Sequence, residues 1–408
     1  MPNLIAYAAL IVWPVIALVF FARLSPVKAL IWTLLGGYLL LPVGVSFDFP
    51  GVPALNKSSV ANLSALGGAV TFVGFRAVKP PREWWILGPL AAFIVAPMFT
   101  VLANNDALAF GDMVLPALKP YDALSQAAYS AIEILPFVLG YNLLRGKGAA
   151  AECLRALAAA AVLYSVLMLI EIRLSPQLHA YIYGFFPNSF GQQVRWGGFR
   201  PVVFLGHGLL VAIFTSFALI AMVYLAKMRA KLFRVPASAW VAYLFVLLIL
   251  CRSAGAMVLG LLALAMLFFL SWKNIRIVCA VLALSVLTYP VLRGADLVPV
   301  DQIVSAASII DEDRAKSFGT RVRNEDSLLT RAQERPLFGW GGYGRNRLFD
   351  ESTGRNLSIT DGKWIITIGV NGWIGYLATF GLLCFPLIAG AFPGSAATPA
   401  RVALSVIL

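Results

Sequence analysis

A chain of 408 residues that is 60% apolar and only 12% charged, with a mean hydropathy of +0.83, is not a soluble globular domain. The net charge of +13 does not point to nucleic acid, because its placement follows a membrane pattern. Four cysteines (Cys153, Cys251, Cys279 and Cys384) lie in or beside apolar runs and read as small buried residues, which excludes a disulfide framework and a cysteine metal site.

Apolar runs of spanning length are expected near residues 4–21, 28–45, 85–103, 123–144, 153–172, 202–226, 275–292 and 363–389, with a weaker Gly/Ser-containing run at 60–78. Nothing basic precedes the first run and no A-x-A site follows it, so no cleavable signal peptide is expected. The stretch 239–271 is about 33 residues, longer than one span needs. Arg252 sits in its middle. Two short helices with Arg252 at the bend near one membrane face avoid a charge at mid-bilayer; one tilted helix with Arg252 inside is the alternative. Pro393–Ala400 reads as a turn, and the eight residues Arg401–Leu408 begin a further apolar run too short to cross a bilayer.

Basic residues cluster on alternate loops. Arg23 and Lys28, then Arg76, Lys79 and Arg82, then Arg145, Lys147 and Arg155 form the first three groups. Lys227, Arg229, Lys231 and Arg234, followed by Lys273 and Arg276, complete the set. Only Glu83 and Glu152 offset them, which makes these loops cytoplasmic. Ten spans from an outside N-terminus then place the loop after residue 292 outside. The expected fold is an all-α polytopic integral membrane protein of about 10–12 transmembrane helices, with one large periplasmic loop containing short helices. Its parts are N-terminal helices (1–292), the loop (293–362) and C-terminal helices (363–408). In a bacterial inner (cytoplasmic) membrane, outside is the periplasmic side.

The large loop is the most polar part of the chain. Between Arg293 and Lys363 lie 11 of the 32 basic and 11 of the 19 acidic residues. Asn324 is expected to cap a helix with Glu325 and Asp326 in its first turn; Arg331 and Arg335 share its far end, and Pro336 stops it. Gly339-Trp-Gly-Gly-Tyr-Gly344, followed by Arg345 and Arg347, reads as an anion-holding nest or a plain tight turn. The same glycines fit a dinucleotide fingerprint literally, but that needs a preceding strand and none is plausible. Thr360-Asp361-Gly362 closes the loop as a turn.

The Arg-containing helix, "RPLFGWGGYG" and the apolar return "GKWIITIGVNGWIGYLATFGLL" resemble the C-terminal half of the O-antigen ligase and O-antigen polymerase superfamily of bacterial membrane glycosyltransferases. Cys251-Arg252-Ser253-Ala254-Gly255-Ala256 and, more weakly, Gly197-Gly-Phe-Arg200 through Gly206-His207 carry the same resemblance. It covers roughly Arg195 to Phe385. Such proteins usually place a histidine near the loop's end, where this chain has Asp361.

The resemblance implies a metal-independent glycosyl transfer in surface polysaccharide biosynthesis. The donor is a glycan on a polyprenyl diphosphate, and the acceptor a glycan or lipid-linked sugar. No cofactor, metal or nucleic acid is expected; membrane lipid is the remaining partner. Arg252 and Asp361 are the expected catalytic residues, the first meeting charge on the leaving diphosphate and the second deprotonating the acceptor. Arg200, His207, Arg321, Arg323, Arg331 and Arg345 are the expected substrate-binding residues, because guanidinium forks match diphosphate oxygens. Each has a plainer reading: ion pairs within the loop or lipid phosphate contacts for the arginines, a structural hydrogen bond for His207, a turn residue for Asp361. The rival function is a transporter or flippase for a lipid-linked sugar or an organic anion.

Overall fold

The computed structural model describes residues 1–49, 53–310, 312–392 and 398–408. The chain is helical almost throughout: α1 (Leu4–Arg23), α2 (Pro26–Leu40), α3 (Lys57–Val73), α4 (Trp84–Leu102), α5 (Pro120–Glu133), α6 (Leu135–Leu143), α7 (Ala149–Arg173) and α8 (Leu178–Tyr183). There follow α9 (Gly208–Lys227), α10 (Ala237–Leu250), α11 (Ala254–Phe269), α12 (Trp272–Gly294), α13 (Val300–Ile310), α14 (Glu312–Gln333), α15 (Lys363–Ala391) and α16 (Pro399–Ile407). Among the described residues, α1, α4, the α5–α6 pair, α7, α9, α12 and α15 are long and apolar enough to cross a membrane, and α2, α10 and α11 are shorter apolar helices. The all-α polytopic membrane fold is therefore as expected.

The helices gather their loops at two ends. At one end Lys28 pairs with Glu152 (3.8 Å) and Arg145 with Glu83 (3.2 Å), joining the basic loops to one another. At the other end Asn3 N donates to Tyr183 O, the Tyr183 hydroxyl donates to Leu40 O, and Lys57 Nζ donates to Phe204 O. The loop after α12 meets Asp106 there. This second end, the loop end, holds every expected site residue.

Several span boundaries move for local reasons. The run 202–226 becomes helical only at Gly208, because Glu171 draws residues 202 and 203 out of helix: its carboxylate accepts Val202 N–H and Val203 N–H, both at 2.7 Å, and Val203 sits at φ +47°. The stretch 239–271 splits at Arg252, which takes φ +50° between α10 and α11. A non-glycine residue held in the left-handed region is strained, and such positions concentrate at functional bends. The expected cap at Asn324 is corrected. Helix α14 runs unbroken past it, and the Asn324 side chain instead donates to Thr320 O (2.9 Å) and accepts from Ile359 N (2.9 Å). The expected Pro393–Ala400 turn lies for the most part outside the described residues.

Of the helices long enough to span, α9 is the most enclosed, with α7, α10, α11 and α16 against it. A second group surrounds α15: α4, α12 and α14. The two groups carry different parts of the loop end.

Candidate functional site

Helix α15 is broken at Gly372 (φ 65°, ψ −169°), where a regular helix would bond Trp373 N to Gly369 O and Ile374 N to Val370 O. Those four groups are satisfied by the loop segment after α14. Trp340 N donates to Gly369 O (2.8 Å) and Gly341 N to Val370 O (2.9 Å). Trp373 N donates to Pro336 O (2.8 Å) and Ile374 N to Leu337 O (3.2 Å). From α4, Thr100 Oγ1 reaches Phe338 O (2.7 Å) and Asn104 Nδ2 reaches Gly339 O (2.9 Å). Irregular backbone is tolerated beside apolar helices only when every polar group is paired in this way. The glycines are required: a Cβ on Gly372 would collide with Leu337 O, and one on Gly339 would lie 2.6 Å from Val370 O. Gly339 N donates back to Arg335 O and the next two N–H groups of the glycine run serve α15, so the tight turn describes that part better than an anion nest.

Arg345 completes this plug. Its side chain is fully buried; Nη1 donates to Asp106 O (2.8 Å) and Pro116 O (2.9 Å), Nε to Trp340 O (3.2 Å) and Nη2 to Asp106 Oδ1 (3.2 Å). Arg331 lies 3.4 Å over the Trp340 ring and pairs with Glu334 at 2.6 Å, and Arg335 covers the same ring at 4.4 Å and bonds Asp106 Oδ2 at 3.0 Å. Arg331 and Arg345, expected to bind substrate, are engaged within the protein, Arg331 by the loop itself and Arg345 mainly by the segment between α4 and α5.

At the start of α15 a second cluster forms. Arg321 Nε pairs with Asp361 Oδ2 at 3.2 Å, with both side chains more than half exposed. Glu325, one turn along α14, is half-buried and accepts from Trp364 Nε1 (3.3 Å); Trp364 packs edge-on against Tyr289. Burial pushes the Glu325 carboxyl above its ordinary value, and the carboxylates of Asp326 and Asp361 add to that against the lowering effects of Trp364 and Arg293. Arg293, nearly buried, is paired with Asp326. Arg323 is exposed and donates to Thr320 Oγ1 (3.3 Å). The partial burial that a base at Asp361 called for is found at Glu325.

The third cluster lies at the loop-end termini of α9, α10 and α11. Residues 194–195 and 198–199 form a short antiparallel hairpin, and Arg252 donates Nη1 to Arg195 O (2.8 Å) and to Trp196 O. Gly198 leaves the Arg252 guanidinium its place, since a Cβ there would push it aside. Arg200 is buried, 6% exposed, and its Nε has no partner among the described residues. Burial and the charge of Arg195 lower its affinity for its proton. Beside it Gln193 is fully buried; Oε1 accepts from Gly208 N (3.2 Å), and Nε2 has no partner among the described residues. Gly208 keeps the space open, because a Cβ there would stand 3.2 Å from Arg200 Nε. His207 caps α9, its Nδ1 accepting from Leu209 N (3.0 Å). Burial first, then Arg200 and Arg195, hold its imidazole below the ordinary histidine value and therefore neutral near pH 7.

The structure therefore joins Arg321 with Asp361, groups Arg200, His207 and Arg252, and separates Arg331 and Arg345 into the plug. Sequence reasoning missed Gln193 and Arg293. The pair Gln192-Gln193 just ahead of Gly197-Gly-Phe-Arg200 was the available signal for the first. Nothing in the chain marks Arg293 as the buried partner of a residue 33 positions on.

These features define a polytopic α-helical membrane protein whose large polar loop plugs a broken span and presents arginines and carboxylates at one end of the bundle. Residues 237–389, from α10 through the loop into the second half of α15, match the O-antigen ligase family, in agreement with the resemblance read from the sequence. Arg252, Arg321, Glu325 and Asp361 fall inside the match; Arg200 and His207 lie outside it. No curated protein and no solved structure matches the chain.

Proposed function

We propose that the protein is a glycosyltransferase of the O-antigen ligase/polymerase type, moving glycan from a polyprenyl diphosphate at the periplasmic face of a bacterial inner membrane. The observation that carries this is the cationic recess at Arg200 and Arg252. A buried guanidinium with no carboxylate partner among the described residues, beside a buried amide whose Nε2 is also unmet among them, is costly unless an anion completes it. A diphosphate supplies several oxygens to such donors, and arginine keeps its charge in a half-dry site without a divalent ion.

In the proposed reaction an acceptor hydroxyl attacks the anomeric carbon of the donor. The bond from that carbon to the diphosphate oxygen breaks, and the diphosphate leaves with its electron pair. Arg252 and Arg200 hold the departing oxygens, with Arg321 and Arg323 on the loop as further cations. The hydroxyl proton passes to Asp361 or to its neighbour Glu325, whose raised affinity suits a proton acceptor.

The test is incubation of the purified full chain with polyprenyl-diphosphate glycan and mass spectrometry of the products: lengthened or transferred glycan is expected. The rival transporter reading is favoured by the two interrupted spans, at Ile134 between α5 and α6 and at Gly372. It requires substrate movement across vesicles with no glycan lengthening. Orientation has its own check. A cysteine at residue 342, where a side chain meets open space, should label with an impermeant thiol reagent in spheroplasts, and one at residue 229 should not; the reverse pattern removes the periplasmic site.

A further inference from the structure

A cavity of about 530 Å³ lies between α2, α3, α4, α5 and α15. Its mouth includes Ser58 and Lys363 at the loop-end starts of α3 and α15, two residues beyond Asp361. It reaches down to Glu133 and Thr379, about four turns along α15. In a chain that is 60% apolar, its wall is mostly hydroxyl and amide: Tyr38, Asn62, Gln126, Tyr129, Thr367 and Asn371. Polar groups at membrane depth are retained only where they meet water, ligand or each other.

Both interrupted spans face this cavity, and each break shapes its wall. Pro136 has no N–H, so Ile132 O loses its helical donor; Asn62 Nδ2 from α3 takes that place at 3.1 Å. Asn62 Oδ1 then accepts from Tyr38 O–H at 2.6 Å, which fixes both side chains. Tyr129 and Glu133, one turn apart on α5, stand together in the wall. On the opposite side the break at Gly372 follows directly on Asn371, which stands in the wall.

We propose that this cavity binds the terminal sugar of the glycan acceptor, with Glu133 and Asn371 as specificity-determining contacts. The inference rests on the glycosyl-transfer reading above and assigns the second substrate its place. The wall carries one carboxylate and one ammonium and no arginine, so it is nearly neutral and unsuited to a diphosphate. Amides, hydroxyls and a carboxylate are the groups that pair with sugar hydroxyls, and the two tyrosine rings offer apolar faces to sugar C–H groups. The volume falls in the usual range for a small-molecule site. The Lys363 end of the cavity lies two residues from Asp361, on the side of the chain where the proton must go.

Saturation-transfer NMR on the full chain in detergent tests this directly, with methyl glycosides of neutral hexoses and N-acetylhexosamines as probes. At least one probe should show transfer, and Glu133→Gln and Asn371→Ala should each weaken it about tenfold, the worth of one hydrogen bond to a charged or buried partner. Gln126→Leu serves as a third cavity variant should either of these lose its fold by thermal unfolding. Arg200→Lys should leave the transfer intact. In the glycan assay, Glu133→Gln should raise KM for the acceptor about tenfold and leave the KM for the donor unchanged. No transfer from any probe, or transfer equal in parent and cavity variants, overturns the site. Product formation indifferent to the cavity variants also overturns it while leaving the transferase reading in place. Sugar binding lost in the variants, with no product from the parent, keeps the site and removes the transferase reading.

Discussion

Two arginine-bearing regions at the loop end use the same side chain in opposite ways. In the plug, Arg345 is fully buried and all its donor nitrogens bond the protein, with Asp106 as counter-charge. In the recess, Arg200 is almost as buried, yet its Nε has no partner among the described residues, and the charge of another arginine, Arg195, acts against it. A satisfied buried arginine organises a loop; an unsatisfied one implies a ligand that supplies the missing acceptors. The difference teaches that burial alone does not identify a site. What the donors meet does.

The largest effect is expected where the arginine is satisfied. Arg345→Ala strips partners from Asp106 O, Pro116 O and Trp340 O together. It should cost about 3 kcal/mol, the low end for a broken buried pair because Asp106 is 44% exposed. Thermal unfolding in detergent and proteolysis of the 336–350 segment would register it, and a stable, unproteolysed variant would erase the contrast between the regions. Next come Arg252→Lys and Arg200→Lys. Each should fold and insert normally and lose about a hundredfold in kcat/KM, since an ammonium point charge does not reproduce a fork aimed at developing diphosphate charge. Parent-like turnover in either variant would reduce that residue to a structural or topological role.

How far the sequence reveals this contrast depends on which forces decide it. The bend at Arg252 was legible because an arginine inside a 33-residue apolar stretch has few places to go. The loop's position between the last two long spans was legible from charge alone. The break at Gly372 was not, since glycine is common in membrane helices and this one is compensated by Pro336–Gly341, more than thirty residues earlier. The α5–α6 interruption at Pro136 was likewise absorbed into one apolar run. Arg345 and Arg200 both follow glycine-rich segments, and only tertiary packing decides that one meets Asp106 while the other keeps an Nε with no acceptor among the described residues. At Asn324 a strong local cap signal lost to a helix already formed on both sides.

A finer test concerns the carboxylates beside Arg321. Burial raises the Glu325 carboxyl, so its charged form is disfavoured by folding: the folded state is favoured below the ordinary carboxylate range and loses that advantage as pH rises through the raised value. Glu325→Gln should therefore melt at or slightly above the parent temperature at pH 7. If Glu325 takes the acceptor proton, the acid limb of the parent's pH–rate profile lies above the ordinary carboxylate range, and the variant loses both activity and limb. Asp361→Asn keeps the side chain's size but removes the Arg321 partner and the option of a base there. A large loss in Asp361→Asn with the raised limb intact assigns the proton to Asp361; near-normal product from it assigns the proton to Glu325.

The smallest expected effect lies at Arg331, which has features of both regions. Like Arg345 it is enclosed, 13% exposed, with Glu334 as counter-charge at 2.6 Å; like Arg200 its Nε has no hydrogen-bond partner among the described residues. What separates it from Arg200 is the Trp340 face 3.4 Å below, which attracts the cation without accepting a hydrogen bond. If that stack accounts for the unmet nitrogen, Arg331→Lys keeps the charge and the Glu334 pair and loses only part of the stacking. The cost is then about 0.5–1 kcal/mol, a fall of roughly 2 °C or less in melting temperature, with donor KM unchanged. If the nitrogen instead awaits a phosphate oxygen, the lysine variant melts like the parent while donor KM rises about tenfold. The second outcome would move Arg331 from the plug to the donor site, as the sequence led us to expect, and would show that an aromatic face is no substitute for an acceptor in deciding what a buried arginine does.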